Sequence, residues 1–391
     1  MTNERVIDSF ARLTKLGFEN WQNSMDIIIS NTEHLLGNEE KKEDTYRGVT
    51  PFDVIFQFDT MRVLKFHGST DTSGKTPLLL VPSMINRPYV MDLMKDSSLA
   101  GYLRGSGVPT YLLDWGTPER RHNHLSFDFY VDDVIKLACD AVVKDACCER
   151  ATDSLCKGTG CNKISLLGYC MGGTMSLLHT ALYPERIEKL TLLAAPTNFV
   201  DDSTLSRWAR KEIFDVDFLV DTVGAVDPSM LQSSFLMVKP LSQLLKWKSL
   251  YDSSLNTKAV ESYINLEKWV TDNISVPKEA YRKYVKMCYH ENSIVKNKVT
   301  LKGKKLDLRS LKVPILNIMA KKDHIVEVNS SRIIREIVSS PVTEVFIDAG
   351  HIGVAMGRKA REMFDAVSKY NLGKRVIDHC IMDYEDNPAI Q

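Results

Sequence analysis

The sequence lacks several features that mark other classes of protein. Lysine plus arginine number 50 and aspartate plus glutamate number 50, so no basic excess indicates a nucleic-acid partner. No apolar run approaches the roughly 20 residues that a membrane-spanning helix needs. The opening residues MTNERVIDSF contain no apolar stretch typical of a secretory signal. We therefore expect a cytoplasmic protein without a transmembrane segment.

The cysteines are few and unevenly placed. The chain has eight, and five of them fall between Cys139 and Cys161. In a chain without an export signal they indicate free or redox-active thiols, a metal or catalysis, more than a disulfide framework. Four of these cysteines could in principle bind zinc, but they lack the C-x₂-C spacing of zinc sites and two of them are adjacent, so we expect no metal. The four are Cys147, Cys148, Cys156 and Cys161.

Strand-like and helix-like runs alternate in two parts of the chain. Short apolar runs such as PLLLVP, KISLLGY and VPILNIMA alternate with amphipathic helical runs, which favours a mostly parallel sheet with helices on both faces. Between these parts the pattern is helical, aromatic and loop-rich. We predict an α/β-hydrolase fold with a mainly helical cap insertion. The predicted segments are an N-terminal helical segment with a linker (1–50), the two parts of the core (51–196 and 306–391) and the cap (197–305).

The stretch KISLLGYCMGGTMSLLHTALY places Cys170 between a strand and a helix. Gly168 and Gly172 flank it in the pattern G-x-C-x-G. A nucleophile elbow is a strained turn, and glycine on both sides leaves room for the neighbouring backbone. The start of the helix would offer the amide of Met171 to an oxyanion and favour a thiolate. The alternative is a buried cysteine in an ordinary glycine-rich turn.

Two later loops contain partners for Cys170. A fold of this type presents nucleophile, acid and base in that order. Asp323 follows the strand VPILNIMA and His351 follows VTEVFID, so both would lie at the sheet edge where ligands bind. Each alone fits an ordinary turn residue, but their coincidence favours a catalytic triad. His324, next to Asp323, is expected either to support the triad residues without taking part in the reaction or to be a surface histidine.

The loop SMINRPY after the early strand PLLLVP is expected to supply a second oxyanion donor, the amide of Met84 or Ile85, unless it is a simple turn.

A cysteine nucleophile, in place of a serine, also bears on the type of reaction. A cysteine holds a captured acyl group as a thioester, which stays activated for the next attack. The elbow therefore indicates acyl transfer from a thioester more than plain hydrolysis.

Six stretches together resemble the polyhydroxyalkanoate synthase family, and within it the short catalytic subunit of class III. The resemblance implies Cys170 as the acylated nucleophile, with Asp323 and His351 as its partners. It also implies a hydroxyacyl-coenzyme A substrate, with short-chain (R)-3-hydroxyacyl groups expected from the class. Coenzyme A is part of the substrate and product, so no separate cofactor is expected. The stretches are LLLVPSMINRPYVMDL, YLLDWGTPE, GYCMGGT, LAAPTNF, LNIMAKKDHIV and GHIGVAMG.

The same resemblance implies partners and a location. The growing polyester would stay attached to the enzyme at the surface of a granule in the cytoplasm. A helical accessory subunit would be the protein partner, and a homo-oligomer or hetero-oligomer is expected. The lack of a large domain before residue 50 agrees with class III.

Two other functions fit the same pattern. A cysteine hydrolase of this fold, of thioesterase or dienelactone-hydrolase type, would release free hydroxy acid instead of polymer. An inactive fold could act as a granule-associated scaffold. The presence of Cys170, Asp323 and His351 together argues against the scaffold.

Overall fold

A computed structural model of the chain describes residues 46–150, 162–238 and 257–376. Its centre is an eight-stranded sheet. The strands are β1 (Phe52–Phe58), β2 (Met61–Phe66), β3 (Leu78–Val81), β4 (Thr110–Asp114), β5 (Ile164–Tyr169), β6 (Ile187–Leu193), β9 (Ile315–Ala320) and β10 (Val342–Ile347), with β7 (Thr300–Leu301) and β8 (Lys304–Lys305) forming a separate hairpin. The order in the sheet is β1-β2-β4-β3-β5-β6-β9-β10. The β1–β2 and β2–β4 pairs are antiparallel, and all the other pairs of this sheet are parallel.

The continuous apolar runs form the central strands, as the sequence predicts. Every residue of β3, β4, β5 and β9 is buried, because strands covered on both faces bury both sets of alternating side chains. β1 was not among the predicted strands. It lies at the antiparallel edge, none of its residues is fully buried, and a bulge interrupts its register with β2. Its sequence therefore lacks the continuous apolar signal.

Helices fill the connections between the strands. The helix Met171–Leu182 packs against β5 and β6, and Ala360–Asn371 packs against β9 and β10. The other α-helices are Leu99–Gly105, Ile135–Arg150, Thr204–Trp208, Val216–Val223, Pro228–Val238, Thr257–Thr271, Lys278–Val285, Val328–Arg332, Ile334–Ile337 and Gly353–Met356, and single π-helical segments occur at Phe129–Val134 and Lys286–His290.

The predicted insertion leaves the sheet after β6 and returns at β9. These two strands are parallel neighbours, so the insertion does not interrupt the sheet. The described residues divide into two compact units, of which the larger holds 46–150, 162–234 and 272–376 and the smaller holds 235–238 and 257–271. The predicted domain boundaries stay predictions, and the helix predicted within residues 1–45 lies outside the described residues.

The helices of the described ranges are too short or too polar to span a membrane.

Candidate active site

Cys170 occupies the turn between β5 and the helix Met171–Leu182. Its backbone has φ 54° and ψ −126°, a conformation that residues with a side chain rarely adopt. Its amide donates to the carbonyl oxygen of Leu193 at 3.0 Å, and its carbonyl oxygen accepts from the amide of Gly173 at 2.9 Å. Bonds to the end of β6 and to the first helical turn thus hold the strained residue in place.

Close backbone contacts require glycine on both sides of this turn. A Cβ at Gly168 would lie 2.4 Å from the carbonyl oxygen of Gly172. A Cβ at Gly172 would lie 2.2 Å from the carbonyl oxygen of Val81. Both distances are far inside van der Waals contact. The first turn of the helix therefore lies directly against the end of β3, where the predicted oxyanion loop begins.

Asp323 follows β9 and its side chain is fully buried. The carboxylate oxygen Oδ1 accepts hydrogen bonds from the amides of Ile325 at 2.8 Å and Val326 at 2.9 Å. Two backbone donors of its own loop fix the orientation of the carboxylate. The second oxygen, Oδ2, is directed to His351.

His351 follows β10, and its Nδ1 lies 2.6 Å from Oδ2 of Asp323. Burial alone would lower the pKa of His351, but the Asp323 carboxylate and Cys170 outweigh it and hold the pKa well above its usual value. Cys170 therefore lies close enough to the imidazole to contribute to this shift. With Nδ1 bonded to Asp323, Nε2 is the ring nitrogen left to face the sulfur. The structure thus brings together the three residues that the sequence singles out.

The predicted oxyanion donors come from the two segments that meet where Gly172 lies against Val81. Met171 directly precedes Gly172, and Met84 and Ile85 follow Val81 in the chain. The amide of Met171 begins the helix, and the first amides of a helix have no acceptor within it. The amide of Ile85 donates to the hydroxyl of Ser83 at 3.3 Å, whereas its carbonyl oxygen accepts from the amide of Ile274 at 3.0 Å. The oxyanion roles of Met171, Met84 and Ile85 stay predictions.

Comparison with known proteins decides the family. A model described as the N-terminus of poly-beta-hydroxybutyrate polymerase (PhaC) matches residues 17–103, and an alpha/beta hydrolase fold model matches residues 145–355. The poly(3-hydroxyalkanoate) polymerase subunit PhaC of Allochromatium vinosum is 32% identical over 330 residues, covering 83% of this chain and 88% of the relative. The chain belongs to the poly(3-hydroxyalkanoate) polymerase family.

Two further relatives are polymerases of the same name, and a polymerase of this type is an acyltransferase. The subunit PhaC of Haloferax mediterranei is 32% identical and covers 90% of this chain and 69% of its own length. The subunit PhaC of Synechocystis is 30% identical and covers 90% of this chain and 92% of its own length. The resemblance to the polyhydroxyalkanoate synthase family is confirmed, and the assignment to class III stays a prediction. All three relatives are named as subunits.

The fold class of this polymerase is confirmed as well. The hydrolase-fold match covers more than half of the chain. Among solved structures, a monoacylglycerol lipase of Paleococcus ferrophilus covers 80% of this chain and 98% of its own, with 17% identity and a TM-score of 0.46.

Two tyrosines of the inserted segment lie close enough to Cys170 to interact with it electrostatically, and a phenylalanine packs against both. Phe199, Tyr284 and Tyr289 form edge-to-face pairs with centroids 5.0–6.1 Å apart. Burial, with Cys170 among the charges that add to it, raises the pKa of both tyrosines well above its usual value. The three lie in the inserted segment, and no local pattern marks them.

Two further sets of predicted residues have different outcomes. The side chain of His324 is exposed, and the described bonds of Asp323 and His351 do not include it, so its supporting role stays a prediction. Within the described ranges no group of three or more His, Cys, Asp or Glu is placed to hold a metal. Cys147 is half-buried on the helix Ile135–Arg150. The side chain of Cys148, with Cys156 and Cys161, lies outside the described residues.

Proposed function

We propose that this chain polymerises (R)-3-hydroxyacyl-coenzyme A, with short acyl groups such as 3-hydroxybutyryl, and carries the acyl group on Cys170 as a thioester. One observation carries the proposal beyond family membership. Cys170 stands on a strained elbow beside His351, whose other nitrogen lies 2.6 Å from Asp323. This arrangement can activate a thiol and stabilise the imidazolium that forms.

Acylation is the first half of the reaction. Nε2 of His351 accepts the Cys170 proton, and the thiolate attacks the carbonyl carbon of the substrate thioester. The Met171 amide and an early-loop amide stabilise the oxyanion. The bond between the carbonyl carbon and the sulfur of coenzyme A then breaks, and the departing thiolate takes the proton from His351. Coenzyme A therefore enters and leaves as part of substrate and product, and no separate cofactor takes part.

Elongation is the second half. A hydroxyl of the next hydroxyacyl-coenzyme A, or of the chain end, loses its proton to His351 and attacks the thioester on Cys170. An ester bond forms, the thiolate of Cys170 departs, and it regains the proton. Because the starting linkage is a thioester, this exchange for an ester is favourable. Two sequential transfers at one sulfur thus extend the polymer by one unit.

Asp323 acts through His351 in this proposal. The sequence alone leaves open a direct role of Asp323 in deprotonating the hydroxyl. Its side chain is fully buried, Oδ1 accepts from two amides and Oδ2 is bonded to His351. All these contacts orient the carboxylate toward the imidazole and support the role of orienting and stabilising it.

Water must be kept from the acylated sulfur, since hydrolysis would end the chain. The aromatic group of Phe199, Tyr284 and Tyr289 supplies an apolar surface near Cys170 for this purpose. The inserted segment that contains these residues therefore shapes the acyl site. A helical accessory subunit as partner, an oligomeric assembly and action at a granule surface belong to the same proposal and rest on the resemblance to class III.

The purified chain incubated with 3-hydroxybutyryl-coenzyme A tests the proposal. We expect release of coenzyme A, insoluble polyester, and an acyl adduct on the peptide that contains Cys170. Cys170→Ala should abolish all three, while Cys147→Ala, a matched change of a half-buried cysteine, should abolish none. Adding candidate helical partner subunits tests the partner by the gain in rate.

Two outcomes would reject the proposal. Free 3-hydroxybutyrate with no polymer would favour a cysteine hydrolase of the same fold. The scaffold would be favoured by two results together. The wild-type chain would show no turnover, and a Cys170→Ala variant that makes no polymer would still associate with granules as the wild type does.

A further inference from the structure

Tyr169 contacts His351 in two independent ways. It is the last residue of β5, immediately before Cys170, and its side chain is 3% exposed. Its ring lies against the imidazole with centroids 5.4 Å apart and planes at 24°. Its hydroxyl donates to the carbonyl oxygen of His351 at 3.1 Å. One side chain therefore contacts both the ring and the backbone of a residue 182 positions away.

The hydrogen bond to Asp323 does not fix the imidazole by itself. The covalent attachment at Cβ and the bond at Nδ1 restrain one edge of the ring, but its plane can still tilt about the line through Cβ and Nδ1. A flat contact on one face of the ring removes this motion. Holding the ring plane also holds Nε2, the nitrogen that is not bonded to Asp323, in one position.

The hydroxyl contact fixes the loop that carries the histidine. Burial, with Cys170 and Asp323 adding to it, raises the pKa of Tyr169 well above its usual value, so the hydroxyl keeps its proton and stays a donor. The acceptor is the backbone carbonyl of His351, so this bond limits displacement of the Cα, while the ring contact limits rotation of the imidazole. Misplacement of a catalytic group by about 1 Å can reduce a rate by about 100-fold.

We propose that Tyr169 is a positioning residue that holds the His351 imidazole in the plane and at the height from which Nε2 reaches Cys170. This rests on the proposed function, in which His351 takes the proton of Cys170. The assignment couples the strand that carries the nucleophile to the loop that carries the base. The distance between the thiol and the imidazole is then set by the contacts of Tyr169, the residue next to Cys170.

The test measures alkylation of Cys170 by iodoacetamide as a function of pH. Trypsin cleaves after Lys163 and Arg186, so Cys170 is recovered in a peptide of residues 164–186 that contains no other cysteine. The reaction needs no substrate, and its outcome is independent of polymer formation. His351→Gln is the reference variant, and its alkylation profile should move to higher pH because the imidazolium partner of the thiolate is lost.

Two variants of Tyr169 separate its contacts. Tyr169→Phe keeps the ring and loses the hydroxyl, and we expect about a 3-fold loss in kcat with KM unchanged. Tyr169→Leu loses both contacts, and we expect about a 30-fold loss and a shift of the alkylation profile toward that of His351→Gln. The phenylalanine variant is nearly isosteric, so its small shift in the same direction tests the hydroxyl even if the leucine variant does not fold.

Tyr111→Phe is the matched control. Tyr111 is also a buried strand tyrosine, and its hydroxyl donates to Asp145 at 2.8 Å, outside the candidate site. Its variant should keep the wild-type profile. A wild-type profile in both Tyr169 variants, with a shifted profile in His351→Gln, would overturn the positioning role and leave the proposed function intact. An unshifted profile in His351→Gln would remove the premise of both.

Discussion

Nδ1 of His351 lies 2.6 Å from Oδ2 of Asp323, although 28 residues separate them in the chain. The contact follows from the sheet. β9 and β10 are parallel neighbours paired from Val342–Ile315 to Ile347–Ala320, so the loops after them leave the same edge. The carboxylate is fully buried and the imidazole 11% exposed, so the site opens on the side of the base.

Asp323→Asn tests this pair. The amide keeps the shape of the carboxylate but loses its charge, so the imidazolium is no longer stabilised, and the pKa of His351 should fall from its raised value. We expect kcat to fall by about 100- to 10,000-fold. Coenzyme A release and NMR titration of the imidazole measure the two effects.

The control for this substitution is Asp348→Asn. Asp348 lies in the neighbouring loop, is 55% exposed and pairs with Lys322 at 2.7 Å, so its loss should leave kcat unchanged. An Asp323→Asn enzyme with wild-type turnover would show that the buried carboxylate serves only the fold.

Gly172→Ala tests the elbow. The added Cβ would lie 2.2 Å from the Val81 carbonyl oxygen, and backbone must move to relieve the overlap. We expect a loss of about 1–3 kcal/mol in the free energy of unfolding, together with a large loss of turnover. Urea unfolding and coenzyme A release provide the measurements.

Gly105→Ala is the matched change in another helix. A Cβ at Gly105 would meet nothing within 4 Å, and alanine is the better helix former, so this variant should be as stable as the wild type or more so. Equal stability of the two variants would contradict the close contact between the elbow helix and β3.

His179 makes the helix Met171–Leu182 sensitive to acid. Burial lowers the pKa of His179 to about 4, and its Nδ1–H donates to the carbonyl oxygen of Val131 at 2.8 Å. Its pKa in the unfolded chain is about 6.5. The folded state therefore binds fewer protons below that pH, and stability present above about pH 6.5 is lost as the pH falls toward 4.

The loss between pH 7 and pH 4 should be about 3 kcal/mol for this one group. His179→Asn keeps a donor near Nδ1 and cannot become charged, so its stability should depend less on pH by this amount. Urea unfolding of both proteins at several pH values measures the difference. Parallel pH profiles of the two proteins would show that the acid sensitivity does not come from His179.

The core of the candidate site could be predicted because each part has a local signal. Gly168 and Gly172 report backbone contacts of the turn itself, and Asp323 and His351 each follow a buried strand whose apolar run is visible in the sequence. Parallel strands then place the loops at one edge. Local signals combined with one rule of topology were sufficient.

Tyr169, Phe199, Tyr284 and Tyr289 could not be predicted in their positions near the sulfur. Each has the character of an ordinary core aromatic, and its role depends on which distant segment lies against it. The edge strand β1 was missed for a related reason, since it pairs on one side and buries no complete face.

The fold class, the elbow and the family follow from the sequence alone, because glycine spacing and apolar strands are properties of short segments. The bond between Asp323 and His351 and the stacking of Tyr169 on the imidazole depend on the tertiary structure. These contacts join residues 28 and 182 positions apart, and side-chain distances across such separations are set by packing of the whole sheet.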